Sequence, residues 1–242
     1  MKKGVLYLAY DQGLEHGPSE FNDKNVNPAK IIEIAQKGRY DAVIFQKGID
    51  EKYNDEIKKS KVPLIIKLNG KTNLYKGEPM SEQICSVDEA IKLGAIAVGY
   101  TIYVGSEFES KMLKEFAKIE EEAHNKGLQV IAWIYPRGKA IASEKEDELM
   151  AYSARVGLEI GADMVKLKYS GNPNALKWAV KAAGKCKIVV AGGTKKEEKE
   201  FLQQMKEIIN CGVAGIAVGR NVWQNDKPIA ISKKIRRIVK GK

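Results

Sequence analysis

Short apolar runs rich in Val, Ile and Leu recur along the chain. Each is followed by a loop and then by a longer stretch whose apolar residues fall at helical spacing. The runs predict eight strands, at 5–10, 41–46, 64–69, 95–100, 130–135, 164–168, 188–191 and 215–218. Helical periodicity is clearest at 29–37, 107–126 and 149–160. Three helix starts carry the Ser/Thr-x-x-Glu pattern of a capping box, in which hydroxyl and carboxylate each satisfy a free backbone N–H: Ser86 with Glu89, Ser143 with Glu146, and Thr194 with Glu197. Gly38, Gly94, Gly127, Gly161, Gly184 and Gly212 stand shortly before strands, where a helix ends in a left-handed residue and the chain turns back.

Strands alternating with helices imply a parallel sheet, and eight such units close into a single (β/α)8 TIM barrel, an α/β fold. The 242 residues fit one such domain over 1–242, with no linker or low-complexity segment. An open, doubly wound sheet is the alternative. Nothing supports it, since Gly13, Gly17 and the other glycines do not make G-x-G-x-x-G.

Side chains alternate along a strand, so its two faces can be assigned. In strand six, Val165 and Leu167 are apolar and face the helices, which turns Lys166 and Lys168 into the barrel. In strand five, Val130, Ala132 and Ile134 face out, and Trp133, Tyr135 and, just beyond, Arg137 face in. Lys67 and Asn69 share the inner face of strand three, Ala217 and Gly219 leave space in strand eight, and strand one delivers Asp11 at its end. These polar groups lie toward the C-terminal ends of their strands, the face on which barrel enzymes carry out chemistry.

A lone lysine near a strand end is ordinarily a solvated surface group. Two at i and i+2 on an apolar strand need another explanation, because a buried cation is costly unless paired or deprotonated. A neutral lysine is a nucleophile, and burial or a neighbouring cation lowers its pKa toward neutrality. Lys166 could therefore attack a ketone to give an iminium, with Lys168 as the neighbouring charge and Tyr135 as the acid/base group. Tyr135 reads equally well as a hydrogen-bonded packing residue, and Asp11 as a loop cap. Gly192–Gly193 after strand seven and Gly219–Arg220 after strand eight stand where barrels often bind phosphate.

Composition changes this picture little. With 44% apolar and 30% charged residues the chain reads as an ordinary globular protein. No apolar run approaches the ~18 residues of a membrane span, and the run from Gly4 to Tyr10 is too short for a signal peptide. Cys85, Cys186 and Cys211 are odd in number and scattered, which fits reduced thiols in a cytoplasm. The net charge of +10 is spread along the chain, which points to a basic surface or anionic small substrates rather than nucleic acid. No His/Asp/Glu cluster suggests a metal, and His16 and His124 are the only histidines.

The segments AYDQGLEHGP (9–18), FQKG (45–48), KLNGKT (67–72), VGYTIY (98–103), WIYPRG (133–138), VKLKYSG (165–171), GG (192–193) and AVGRNVWQ (217–224) resemble the archaeal-type class I fructose-bisphosphate aldolases, Schiff-base barrels of the DeoC-like group. The resemblance runs in order from about residue 5 to 225. It implies an aldolase without cofactor or metal, reversibly cleaving fructose 1,6-bisphosphate in glycolysis and gluconeogenesis. It places the Schiff base at Lys166, proton transfer at Tyr135 and the strand-one acid at Asp11. It also puts substrate contacts at Trp133, Arg137, Lys168 and His16, and phosphate binding at Gly192, Gly193, Gly219 and Arg220. Two positions depart from the pattern: Gln12 stands where relatives often have His, and Ala191 where they often have Ser. The chain starts almost at strand one, so the helix that plugs the barrel bottom in relatives is expected to be missing. Relatives form rings of dimers, which implies a homo-oligomer, with a decamer as its fullest form. The alternatives are a sister Schiff-base enzyme, such as a 2-amino-3,7-dideoxy-heptulosonate-type synthase or a phospho-sugar thiolase, and an inactive barrel whose charge binds nucleic acid.

Overall fold

Strands that are apolar on both faces need cover on both, and a closed barrel ringed by helices supplies it. A computed structural model, which describes residues 4–141 and 145–241, has this architecture. The strands are β1 (Val5–Ala9), β2 (Ala42–Gln46), β3 (Leu64–Lys67), β4 (Ala95–Ile102), β5 (Gln129–Ile134), β6 (Met164–Leu167), β7 (Lys187–Ala191) and β8 (Gly215–Val218). All pair in parallel with their sequence neighbours, and β8 closes on β1 from Val5↔Gly215 to Leu8↔Val218. The (β/α)8 barrel expected from the sequence is therefore the fold.

Alternation along each strand divides the core in two. Tyr7, Ala9, Ile44, Ile65, Ile131, Trp133, Met164, Val189 and Ala217 fill the lumen. Leu6, Leu8, Val43, Phe45, Ile66, Val130, Ala132, Val165 and Val190 face outward against the helices. Each fully buried Leu, Ile or Phe contributes about 1.5–3 kcal/mol.

Strand ends differ from expectation where pairing decides them. β4 continues past Tyr100 because Thr101 and Ile102 still pair with Trp133 and Ile134. β3 stops at Lys67; beyond it Asn69 and Gly70 form a short antiparallel ladder with Gln83 and Glu82. The Asn69 side chain fastens this excursion, donating to Ser81 O at 2.9 Å and Thr101 O at 2.8 Å and accepting from Thr101 N at 2.8 Å. Asp41 lies just before β2, its carboxylate accepting from Leu6 N at 2.7 Å.

The caps are a mixed outcome. Ser86 accepts from Glu89 N at 3.1 Å, as expected. Thr194 caps nothing: the helix begins at Glu198 with Glu197 before it, and the Thr194 carbonyl instead accepts from Asn221. Ser143 lies outside the described residues. Gly94, Gly127, Gly161, Gly184 and Gly212 all have positive φ. Gly38 does not. It is the last residue of the helix Pro28–Gly38, and Arg39 takes the left-handed position at φ 54°. A Cβ at Gly38 would stand 2.6 Å from the Tyr40 ring and 2.9 Å from Ser232, so close packing is what demands glycine there.

Asp50, on the helix Lys47–Lys52, is fully buried, and neither carboxylate oxygen has a hydrogen-bond partner among the described residues. Burial first, and the charge of Glu51 second, push its pKa from 3.8 up to about 8. Between those values the fold keeps a proton that the unfolded chain has lost, so stability falls as pH rises, by up to about 1.4 kcal/mol per pH unit. Asp50→Asn cannot titrate. Urea unfolding from pH 5 to pH 8 should show the wild type losing stability relative to this variant; parallel curves would mean that Asp50 is not proton-linked.

Candidate active site

The sequence that positions the site is short on every strand. Asp11 follows β1 by two residues and is buried; Lys67 ends β3; Trp133 is next to last in β5, and Tyr135 follows that strand; Lys166 sits in the middle of β6. Register places Trp133 beside Lys166, and the Lys166 Nζ lies 4.9 Å from the indole centroid. Gly99 on β4 makes room for that indole. A Cβ there would fall 1.5 Å from Trp133 Cζ3. Ala9, Ala191, Ala217 and Gly219 keep the barrel mouth open, and a cavity of about 600 Å³ results. It is lined by Asp11, His16, Trp133, Tyr135, Arg137, Lys166, Lys168, Gly192, Gly193, Gly219 and Arg220, so the fold brings together every residue singled out from the sequence.

Electrostatics concentrate at the cavity floor. Lys166 is 6% exposed, and burial is the main cause that lowers its pKa. The charge of Lys67 lowers it further, while Asp11 and Glu15 oppose the shift. Burial alone would raise the Asp11 carboxyl, but Lys166 and Lys67 together hold it below the ordinary carboxylate range. Lys67 Nζ stands 3.7 Å from Asp11 Oδ2, both side chains nearly inaccessible. Tyr135 has its pKa raised, chiefly by enclosure and then by Asp11, so its phenol keeps its proton.

Lys168 differs from expectation. Its side chain is 71% exposed, 3.7 Å from Glu146 Oε1 at the rim. β6 ends at Leu167, so strand alternation no longer governs the next residue. The cation that acts on Lys166 is Lys67, which the sequence placed on the inner face but gave no role.

At the rim, Arg137 donates to Glu15 at 2.8 Å and lies over the rings of Tyr103 at 5.3 Å and Tyr135 at 5.7 Å. Arg220 donates to Glu20 at 2.7 Å, and His16 Nδ1 is 3.4 Å from the same carboxylate. The Gly192 N–H is already donated to Ala217 O at 2.8 Å, whereas Gly193 adopts φ 72°. Asn221 ties these two loops, donating to Gly192 O at 3.1 Å and Thr194 O at 2.7 Å. Sequence reasoning assigned no role to Glu15, Lys67 or Asn221. Each lay inside a quoted motif, but only the fold shows what it faces. Gln12 lines the cavity with its amide nitrogen buried and unpartnered among the described residues. No group of three or more His, Cys, Asp or Glu among the described residues converges as a metal site.

A buried amine held toward neutrality, beside an ionised carboxylate and a protonated phenol, can add to a carbonyl and move protons around it. Rim guanidiniums suit an anionic substrate. Lys67→Met should raise the Lys166 pKa, because a like charge is removed and Asp11 loses its other cation. The pH midpoint for labelling Lys166 with an amine reagent should then rise, while Lys168→Met leaves it in place. The reverse outcome would return the role to Lys168.

Comparison with known proteins meets this geometry. Residues 5–225 match the DeoC/LacD family aldolase. The chain is similar to the fructose-bisphosphate aldolase class 1 of Thermoproteus tenax, at 48% identity over 98% of this chain and 89% of the relative. It is 42% identical to the protein of the same name from Halobacterium salinarum, over 97% of this chain and 90% of the relative. A solved archaeal fructose-1,6-bisphosphate aldolase, with its catalytic Lys covalently bound to the carbinolamine intermediate of the substrate, matches with a TM-score of 0.94. That match is 47% identical and covers 99% of this chain and 95% of the other. Sequence, barrel and family match thus agree: the chain belongs to the DeoC/LacD family of aldolases.

Proposed function

We propose that this chain is a class I, metal-independent fructose-bisphosphate aldolase, with Lys166 as its Schiff-base lysine. It reversibly cleaves fructose 1,6-bisphosphate to dihydroxyacetone phosphate and glyceraldehyde 3-phosphate. The observation that carries this reading is the Lys166 amine, buried at the closed end of an open cavity with its pKa lowered.

The neutral Lys166 adds to the C2 carbonyl, and the carbinolamine so formed expels its hydroxyl as water with a proton from Tyr135. The resulting iminium accepts the electron pair of the C3–C4 bond. Tyr135, now a phenolate beside a cation, takes the C4 hydroxyl proton as glyceraldehyde 3-phosphate departs. Return of that proton to C3 of the enamine, and addition of water, release dihydroxyacetone phosphate and the free lysine. Asp11 stays ionised between Lys67 and Lys166 and orients substrate hydroxyls. Trp133 flanks the nucleophile. Arg220, with the Gly193 and Gly219 backbone, receives one phosphate. Gly192, its N–H engaged, shapes the loop. Arg137, Lys168 and His16 lie along the rim for the rest of the substrate. The reaction belongs to glycolysis and gluconeogenesis in the cytoplasm. Tyr152 and Trp178, each 62% exposed beside a groove between two outer helices, support assembly with further copies.

Fructose 1,6-bisphosphate cleavage in a coupled assay should survive EDTA. Borohydride with dihydroxyacetone phosphate should add mass to the Lys166 peptide, and Lys166→Ala should abolish both trapping and turnover. An adduct at Lys168, or full inhibition by EDTA reversed by zinc, would overturn the reading. Tyr135→Phe keeps the ring and loses the proton, so turnover should drop about 10²–10⁴-fold while some adduct still forms. Near wild-type turnover would reduce Tyr135 to packing.

A further inference from the structure

At the opposite end of the barrel, where the strands begin, the helices Pro28–Gly38 and Pro228–Lys240 bring their C-terminal ends together. Lys240 marks the place, donating to Gly4 O at 2.6 Å and to Asp41 at 2.7 Å. A cavity of about 420 Å³ there is lined, among the described residues, by six cations, Lys37, Arg39, Lys233, Arg236, Arg237 and Lys240, and by Gly38. Four of the six form one stripe, at i, i+3, i+4 and i+7 of the last helix. Ile231, Ile235 and Val239 of that helix are turned into the core.

This stripe departs from how the rest of the surface is built. Other outer helices set opposite charges four residues apart, as in Lys126–Glu122, Arg155–Glu159 and Lys196–Glu200. Such pairs support a helix, whereas like charges at the same spacing repel. Around this cavity Lys37 has Glu33 and Lys240 has Asp41. Arg39, Lys233, Arg236 and Arg237 have no salt-bridge partner among the described residues. A helix C-terminus favours cations, which accounts for one or two of them but not for six around a hollow.

Two further observations point to an occupant. Arg236 keeps Nη1 out of water with no hydrogen-bond partner among the described residues. Arg39 is held at φ 54°, a conformation that suits glycine and is strained for arginine. Lys61 caps another helix in the same way, so the strain gains meaning from where the Arg39 side chain lies.

We propose that this basic cavity is a second anion site, remote from the barrel mouth, for a small polyvalent phosphate-bearing molecule. Guanidinium forks match phosphate oxygens in pairs, and several cations around one hollow call for several charges on one ligand. The volume suits a compact ligand of a few phosphate groups rather than a lone monovalent ion.

Inorganic tripolyphosphate is the probe, titrated calorimetrically into the full chain at about 0.1 M salt to screen diffuse attraction. A saturable site that the Arg220→Ala variant retains is expected. Arg39→Gly with Arg236→Ala should weaken it about tenfold or more. Glycine suits the left-handed position, so the melting temperature should not fall. Lys233→Glu, on an exposed position, is an independent second variant and should weaken binding as well. Arg220→Ala, at the barrel mouth, should leave this binding in place. Absence of saturable binding, equal affinity in the charge variants, or loss in Arg220→Ala instead would overturn the site. So would a single-stranded oligonucleotide binding where tripolyphosphate does not.

Discussion

The amine of Lys166 is enclosed in a protein interior, and much of the barrel mouth is arranged around that fact. An isolated buried ammonium costs several kcal/mol, a cost that falls when the group gives up its proton. Asp11 pulls the other way, because a buried carboxylate nearby favours the charged lysine. Lys67 settles the competition. By sitting 3.7 Å from Asp11 it gives the carboxylate a cation of its own, and by facing Lys166 it disfavours a second positive charge. One anion shared by two buried lysines leaves one of them to carry the charge. Lys67 makes the ion pair with Asp11 at 3.7 Å, and Lys166, against an indole, does not.

That balance depends on barrel geometry. The three groups come from β1, β3 and β6, widely separated in sequence, and meet because a closed barrel points alternate residues of every strand at one axis. Small residues near the strand ends then decide how much space remains. Gly99 leaves room for the Trp133 ring beside Lys166, and Ala217 with Gly219 leaves space elsewhere in the cavity. The floor thus encloses the amine, while the rim stays open to solvent.

The strands, their order and their inner faces were legible in the sequence because period-two alternation is a local signal. Lys166, Trp133, Tyr135 and Asp11 were found the same way. What escaped notice was governed by where pairing stops. Lys168 obeyed the alternation on paper, but β6 ends one residue earlier and the side chain turns to solvent. Thr194 had the pattern of a cap, but the helix starts four residues later, and the loop it belongs to lines the cavity. Gly38 looked like a left-handed terminator, yet packing against Tyr40 claims it and Arg39 adopts that conformation. Lys67 was placed correctly and left without a role, since its partner lies on a different strand and no local spacing reveals the pairing.

The rim carries a further consequence of charge pairing. Arg137 and Arg220 stand at the cavity edge, and each is held by a carboxylate from one segment, Glu15 and Glu20, which follows β1. Both guanidiniums are therefore already oriented but not free. Exchange of a carboxylate for another anion there replaces one charge-assisted bond with another. The segment between Glu15 and Glu20 is also held through its backbone, Gln224 Nε2 donating to Glu20 O at 2.8 Å and Asn73 N to Glu15 O at 3.1 Å. Asp11, two residues past the end of β1, stands where this anchored segment leaves the barrel.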